Sequence, residues 1–283
     1  MTNNIFNKNL WRARLNRHQH KFTQHNFLHE WVEHQITNRL NVIKKDFLTA
    51  LYVGNSGDTF KENNQIQNLY HLNVLKNHNT HILGDDEFLP IKENSLDLII
   101  SNLSLHHAND LLGAIIQSLY SLKLDGLFVG ALLGGETLYE LRQSLQQAEM
   151  EIYGGISPRV APFADIKSLG GLMQRAQYAL PVIDSEKVVV QYSDFTKMLH
   201  DLRYMGESNF LNERSNKPVG KKFWSRAEEI YKEQFSEDDK FIATFEVIFL
   251  LGWKPHESQQ QPMKPGSAEN RLADSLNIQE EAL

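Results

Sequence analysis

Apolar side chains recur at helical spacing in Leu28, Trp31, Val32, Ile36, Leu40 and Ile43, which predicts a leading helix that buries one face. Phe47 to Val53 is then largely apolar and stops at Gly54-Asn55-Ser56-Gly57-Asp58, the pattern of a buried strand followed by a turn. Weaker strand signals follow at Leu69 to Val74 and Thr80 to Leu83, and a strong one at Leu96 to Leu103. Asn109 is placed to cap a helix, with Asp110 at its positive end and Leu111, Leu112, Ile115, Ile116, Leu119 and Leu122 as the buried stripe. Asp125-Gly126 turns the chain into a strand over Leu127 to Leu133, and Gly134-Gly135 opens a helix carrying Leu138, Leu141, Leu145 and Ala148.

Strand and helix signals alternating at this pace predict right-handed βαβ crossovers, hence a doubly wound α/β fold with a mostly parallel sheet. Lys187 to Tyr192 and Phe245 to Trp253 read as late strands that close one sheet edge as an antiparallel pair. Between them, residues 194–240 read as a helical insertion, broken at Gly206 and carrying a polar Asn212 to Lys222 loop, well placed to cover a pocket. The chain therefore divides into an N-terminal helical segment (1–45), an α/β domain (46–255) and a polar tail (256–283) read as mobile apart from a short helix near Leu272.

Ligands of open α/β sheets bind beyond the carboxyl ends of the strands. Asp85 and Asp86 follow one predicted strand and Asn102-Leu103-Ser104-Leu105-His106 ends the next, so both sets are expected to face one crevice. His106 and His107 stand where a neutral imidazole could orient a substrate or take a proton, with His106 the better placed. Tyr139, Glu140 and Arg142 lie together on the helix after Gly134-Gly135; Glu140 could grip a guanidinium, or it could exchange salt bridges with Arg142 on a solvated face.

Composition narrows the chemistry. The chain has no cysteine, which removes thiolate nucleophiles, disulfides and cysteine-held metals and suits a reducing compartment. A net charge of -6 gives no general attraction to nucleic acid. No apolar run approaches the ~20 residues of a membrane span and no signal-peptide pattern opens the chain, so a cytoplasmic protein is expected. Lys8, Arg12, Arg14, Arg17 and Lys21 all precede the first acid, Glu30. Such a basic segment reads first as a solvated helix face, with a transit peptide or peripheral contact with the inner membrane as alternatives. His25 and His29 have the i, i+4 spacing of a helical metal pair, but solvated histidines are the favoured reading and no metal site is assigned.

The order of elements and the run Asp85-Asp86-Glu87-Phe88-Leu89-Pro90-Ile91-Lys92-Glu93-Asn94 resemble class I S-adenosylmethionine-dependent methyltransferases. More narrowly, Gly134-Gly135-Glu136-Thr137-Leu138-Tyr139-Glu140-Leu141-Arg142, Ser157-Pro158-Arg159 with Pro162-Phe163, Met205-Gly206-Glu207-Ser208-Asn209 and Trp253-Lys254-Pro255-His256-Glu257-Ser258-Gln259 resemble a family of complex I assembly factors that hydroxylate an arginine. The resemblance spans Phe6 to about Ala268. It implies a seven-stranded methyltransferase sheet and S-adenosylmethionine held by Gly54, Asn55, Gly57, Asn73, Asp85, Asp86 and Asn102. It also implies an iron–sulfur subunit of respiratory complex I as protein client, with Arg159 and Glu207 in the lid of the substrate pocket. A related branch methylates malonyl groups on acyl-carrier protein.

The chain departs from the methyltransferase pattern at two anchors. Tyr52 stands where an acid precedes the glycine loop, and Asn73 stands where an acid grips the ribose. Exchanging that charge-assisted bond for a neutral one would weaken cofactor binding by roughly 1–2 kcal/mol. Two functional classes remain open on this reading: an arginine-modifying enzyme, and a non-catalytic assembly protein that keeps the fold after its cofactor site has eroded.

Overall fold

The computed structural model describes residues 4–55 and 58–260. Ser56 and Gly57 of the first turn, and the tail from residue 261 with its expected helix near Leu272, lie outside the described residues. Elements run in the order α1 (Lys8–His18), α2 (Phe27–Val42), β1 (Phe47–Val53), β2 (Ile66–Asn73), β3 (Ile82–Leu83), β4 (Leu96–Asn102), α3 (Leu111–Ser121), β5 (Leu122–Leu133), α4 (Tyr139–Tyr153), α5 (Ile166–Arg175), β6 (Ala179–Tyr192), α6 (Phe195–Met205), α7 (Lys221–Gln234), β7 (Ser236–Glu237) and β8 (Lys240–Trp253).

The sheet has the strand order β3-β2-β1-β4-β5-β8-β6, with the short β7 pairing only with β8. β1 to β5 pair in parallel, whereas β8 runs antiparallel to both β5 and β6. This is the seven-stranded methyltransferase arrangement that the element order implies, with α6 and α7 inserted before the last strand.

Central strands buried on both faces explain the largely apolar runs. Tyr52, Leu98, Ile100 and Val129 pack with α2, α4, α6 and α7 on one side, while Leu51, Val53, Ile99 and Phe128 pack with α3 and α5 on the other. In α2 the residues Leu28, Val32, Ile36 and Leu40 form a fully buried stripe.

Three local expectations change. Asp110 caps α3, accepting from the Gly113 amide at 2.8 Å, while Asn109 clamps the Phe6 backbone through both ends of its amide. The basic N-terminal segment opens with a helix, α1, solvated on the face that carries Arg12 and Arg17 but not all round: Trp11 and Leu15 are buried against Phe6, Phe210 and Leu211, and Lys8 and Arg12 reach Asp85. The start of the tail is tied down, since Gln259 bonds Asp125 and the Lys254 carbonyl.

Register sets the site. Val53 pairs with Ser101 and with Leu72, and Asn73 pairs with Leu83, so Gly54, Asn73, Gly84 and Asn102 end side by side at the carboxyl edge.

Candidate functional site

The crevice above β1 to β4 is lined by Gly54, Asn55, Asn73, Gly84, Asp85, Asp86 and Ser104, with Trp11 of α1 across it. Gly54 is in the left-handed region (φ +149), and a Cβ there would meet the Asn102 carbonyl at 2.9 Å, so glycine is required. Leu103 also has a positive φ, 48, strain that no glycine relieves and that fixes the turn into the two histidines.

The polar groups of this crevice are largely committed to the protein itself. Asn73 donates to the Gly54 carbonyl at 3.1 Å and accepts from the Leu75 amide at 3.1 Å. Asn102 faces away from the crevice, donating to the Tyr52 hydroxyl at 2.9 Å and the His29 carbonyl at 3.1 Å. Tyr52 in turn donates to Glu33 of α2 at 3.0 Å, behind the strand. Asp85 receives Lys8 at 3.3 Å, Arg12 at 3.0 Å and the Glu87 amide at 3.1 Å. Burial opposes its charge, but Lys8, the Glu87 amide and Arg12 overcome that and hold the carboxyl below its ordinary pKa. Asp86 bonds Ser104 and, at 3.5 Å, Ser101. Burial pushes its pKa up.

S-adenosylmethionine does not fit this arrangement whole. The crevice's adenine-side acid is neutralised by α1, and its ribose-side amide is bonded to backbone at both ends.

A second group lies a few residues on. His106 and His107 sit in a single 3₁₀ turn, Leu105–His107, after β4. Glu207 follows α6, whose C-terminus is turned by Gly206 at φ +98. A Cβ at Gly206 would strike Leu15 at 2.7 Å, so glycine both permits the turn and lets α1 pack over it. The turn aims Glu207 inward: Nε2 of His106 lies 3.2 Å from Oε1, and Nε2 of His107 lies 3.2 Å from Oε2. Burial opposes the Glu207 charge, but His107 and His106 outweigh it and hold the carboxyl well below its usual range. His107 is pushed down to about 4 by burial and by His106. His29 is also buried and is also pushed down to about 4, chiefly by burial, with Glu207 opposing and His106 adding to the shift. His25 precedes α2 and bonds Asp201 at 2.6 Å, so His25 and His29 do not form a helical pair.

A small recess, partly open to solvent, borders His107 and Glu207 and is walled by Phe163, Phe210 and Arg159. Arg159 is fixed by Glu149 at 2.7 Å and lies over the Phe223 ring.

The remaining residues of α4 are not gathered here. Glu140 is fully buried and takes the Thr244 hydroxyl at 2.5 Å, and Arg142 donates to the carbonyls of Gly135 and Thr137, so the two do not pair on a solvated face. Tyr139 is 37% exposed and meets Phe235 edge-on. The sequence reading missed the joining of Glu207 to both histidines, and the cover of Asp85 by Lys8 and Arg12. The signals for the first were the tandem His106-His107 at a strand end and the helix-stopping Gly206 just before an acid.

Strand order, switch point and crevice define a protein of the class I methyltransferase fold. A phosphoethanolamine N-methyltransferase 2 from Haemonchus contortus, solved in complex with S-adenosyl-L-methionine, shares it with a TM-score of 0.50 at 13% identity, covering 87% of this chain and 60% of that one. No protein-family model matches the chain. The arginine-hydroxylase NDUFAF5, mitochondrial, of Danio rerio is 37% identical over 270 residues, 90% of this chain and 84% of that protein. The chain belongs to the arginine-hydroxylase NDUFAF5 family. A malonyl-[acyl-carrier protein] O-methyltransferase of Gallionella capsiferriformans is 34% identical over 174 residues, 62% of this chain and 58% of that protein.

Two measurements check this geometry. Removing both cations over Asp85, Lys8→Ala with Arg12→Ala, should raise affinity for S-adenosylmethionine at least ~10-fold by calorimetric titration, about 1.4 kcal/mol; unchanged or weaker binding would show that α1 does not compete. The second is pH dependence. His29 and His107 fold with pKa values of about 4 against ~6.5 unfolded, so between these values the unfolded chain binds protons that the folded chain refuses. Their stabilising contribution is complete above ~6.5 and is lost as pH falls towards about 4; Glu207 acts in the same sense from the ordinary carboxylate pKa downward. Unfolding free energy of chelator-treated protein should decline over that window with a slope of up to ~2.7 kcal/mol per pH unit for two protons. A flat profile would contradict the buried neutral imidazoles.

Proposed function

We propose that this protein hydroxylates an arginine of an iron–sulfur subunit of respiratory complex I during assembly of that complex. The observation that carries the reading is similarity to an arginine-hydroxylase over 90% of the chain, including the insertion that bears Glu207. The recess beside His107 and Glu207 supports it chemically. Phe163 and Phe210 offer apolar walls to an arginine stem, and Glu207 is the carboxylate on its lining. Hydroxylation places one atom of dioxygen into a C–H bond and releases the other as water, taking two electrons and two protons from an external reductant. Methyl transfer to malonyl-carrier protein draws on a shorter similarity, 62% of the chain.

A second reading, an assembly protein without chemistry, is favoured by the engagement of Asn73 and Asp85 with the protein itself. Membrane contact through the basic N-terminus loses support, because Lys8 and Arg12 pair with Asp85. Among the described residues no helix is long and apolar enough to cross a membrane.

Incubation of the protein with the iron–sulfur subunit, dioxygen and a reductant should add one oxygen to an arginine, read by mass spectrometry of the digested client. Glu207→Ala should abolish the gain. A client that gains no oxygen, together with normal complex I assembly in cells carrying Glu207→Ala, would replace the hydroxylase reading with the scaffold one.

A further inference from the structure

We infer that His106, His107 and Glu207 bind a divalent first-row metal ion through the two Nε2 atoms and the carboxylate, with iron(II) as the ion in the working protein. The site deepens the hydroxylase reading and rests on it only for the choice of iron.

Geometry is the first argument. One ligand atom from each residue falls within 4.8 Å of the other two. The imidazole-to-carboxylate separations are 3.2 Å on both sides. Ligands ~2.1 Å from an ion and at right angles to each other stand about 3.0 Å apart, so small side-chain adjustments admit the ion. Two imidazoles and a carboxylate on one side of an ion are the donor set of non-haem iron(II) oxygenases, which keep the other positions for substrate and dioxygen. His107 and Glu207 of this set also border the recess walled by Phe163 and Phe210.

Charge is the second. Both Glu207 oxygens meet ring nitrogens inside the fold, so an acid is enclosed among buried side chains, a setting in which a cation compensates a carboxylate. The Glu207 side chain is 9% exposed and those of His106 and His107 are 2% and 6% exposed. Aromatic rings pack the two imidazoles: Trp11 and Phe210 lie 4.9 and 5.1 Å from the His107 ring, and Phe163 lies 5.9 Å from the His106 ring. Such walls fix ring orientation and exclude water.

Metal binding requires one local change. The Leu133 amide approaches Nδ1 of His106 at 3.4 Å, which keeps the proton of the metal-free ring on Nε2. Coordination through Nε2 moves that proton to Nδ1 and opens this long contact. His107 needs no such exchange of partners, because its Nδ1 has no hydrogen-bond partner.

The test is anaerobic titration of chelator-treated protein with iron(II) by calorimetry, and with cobalt(II) by its ligand-field absorption. One ion per chain is expected. His106→Ala, His107→Ala and Glu207→Gln should each weaken binding at least ~10–100-fold, while His256→Ala, on an exposed residue, should leave it unchanged. Circular dichroism checks that each variant is folded, and the near-isosteric Glu207→Gln guards against loss of fold. Equal binding by wild type and folded ligand variants, or no binding of either ion at millimolar concentration, would overturn the site. Client hydroxylation that persists in chelator would overturn it while leaving the hydroxylase reading standing. Stoichiometric binding lost in the three variants, without oxygen on any client arginine, would support the site and remove that reading.

Discussion

The buried carboxylate of Glu207 is the constraint around which the ligand edge of this molecule is arranged. A charge in the interior is tolerated only where several groups converge on it, and here the convergence joins distant parts of the chain. His106 and His107 come from the turn after β4, and Glu207 comes from the insertion between β6 and β8. The N-terminal helix completes the enclosure, with Trp11 against His107 and Leu15 beneath the Gly206 turn. The inserted helices and the N-terminal helix thus meet at this carboxylate, in addition to their own apolar packing.

This arrangement divides the carboxyl edge of the sheet into two compartments with different prospects. Over β1 to β3 the crevice has the outline of a nucleoside site, but α1 neutralises Asp85 and backbone groups occupy Asn73. Beyond β4 lies a recess with a carboxylate and an imidazole on its wall. A fold shared with methyl-transferring enzymes does not by itself assign methyl transfer, since chemistry follows the site. The groups able to hold a reactive centre lie in the second compartment, which is where an arginine-modifying activity is best accommodated.

Much of the fold was legible because its central elements obey one period each. The buried stripe of α2 and the largely apolar runs of β1 and β4 could be read without tertiary information. The edge was less legible: β6 spans Ala179–Tyr192, but its side chains alternate between half-buried and exposed and Pro181 interrupts its start, so only its C-terminal half stood out. α5 carries Gly170-Gly171, which weakens its helical signal. At the site, the crevice acids and His106 could be proposed from their place after strands. The pairing of Glu207 with both histidines, and of Lys8 and Arg12 with Asp85, joins residues far apart in the chain, and local signals such as the tandem histidines mark the ends of these meetings without saying which partner each will find. Glu140 misled for the opposite reason: read as a grip for a guanidinium or as part of a solvated face, it is buried against Thr244 of β8.

The most direct measurement is anomalous diffraction at the iron edge from crystals loaded anaerobically with iron(II). The account predicts one strong peak at bonding distance from Nε2 of His106, Nε2 of His107 and the Glu207 carboxylate. Crystals with iron only at surface histidines, and with Glu207 still hydrogen-bonded to both rings, would contradict it.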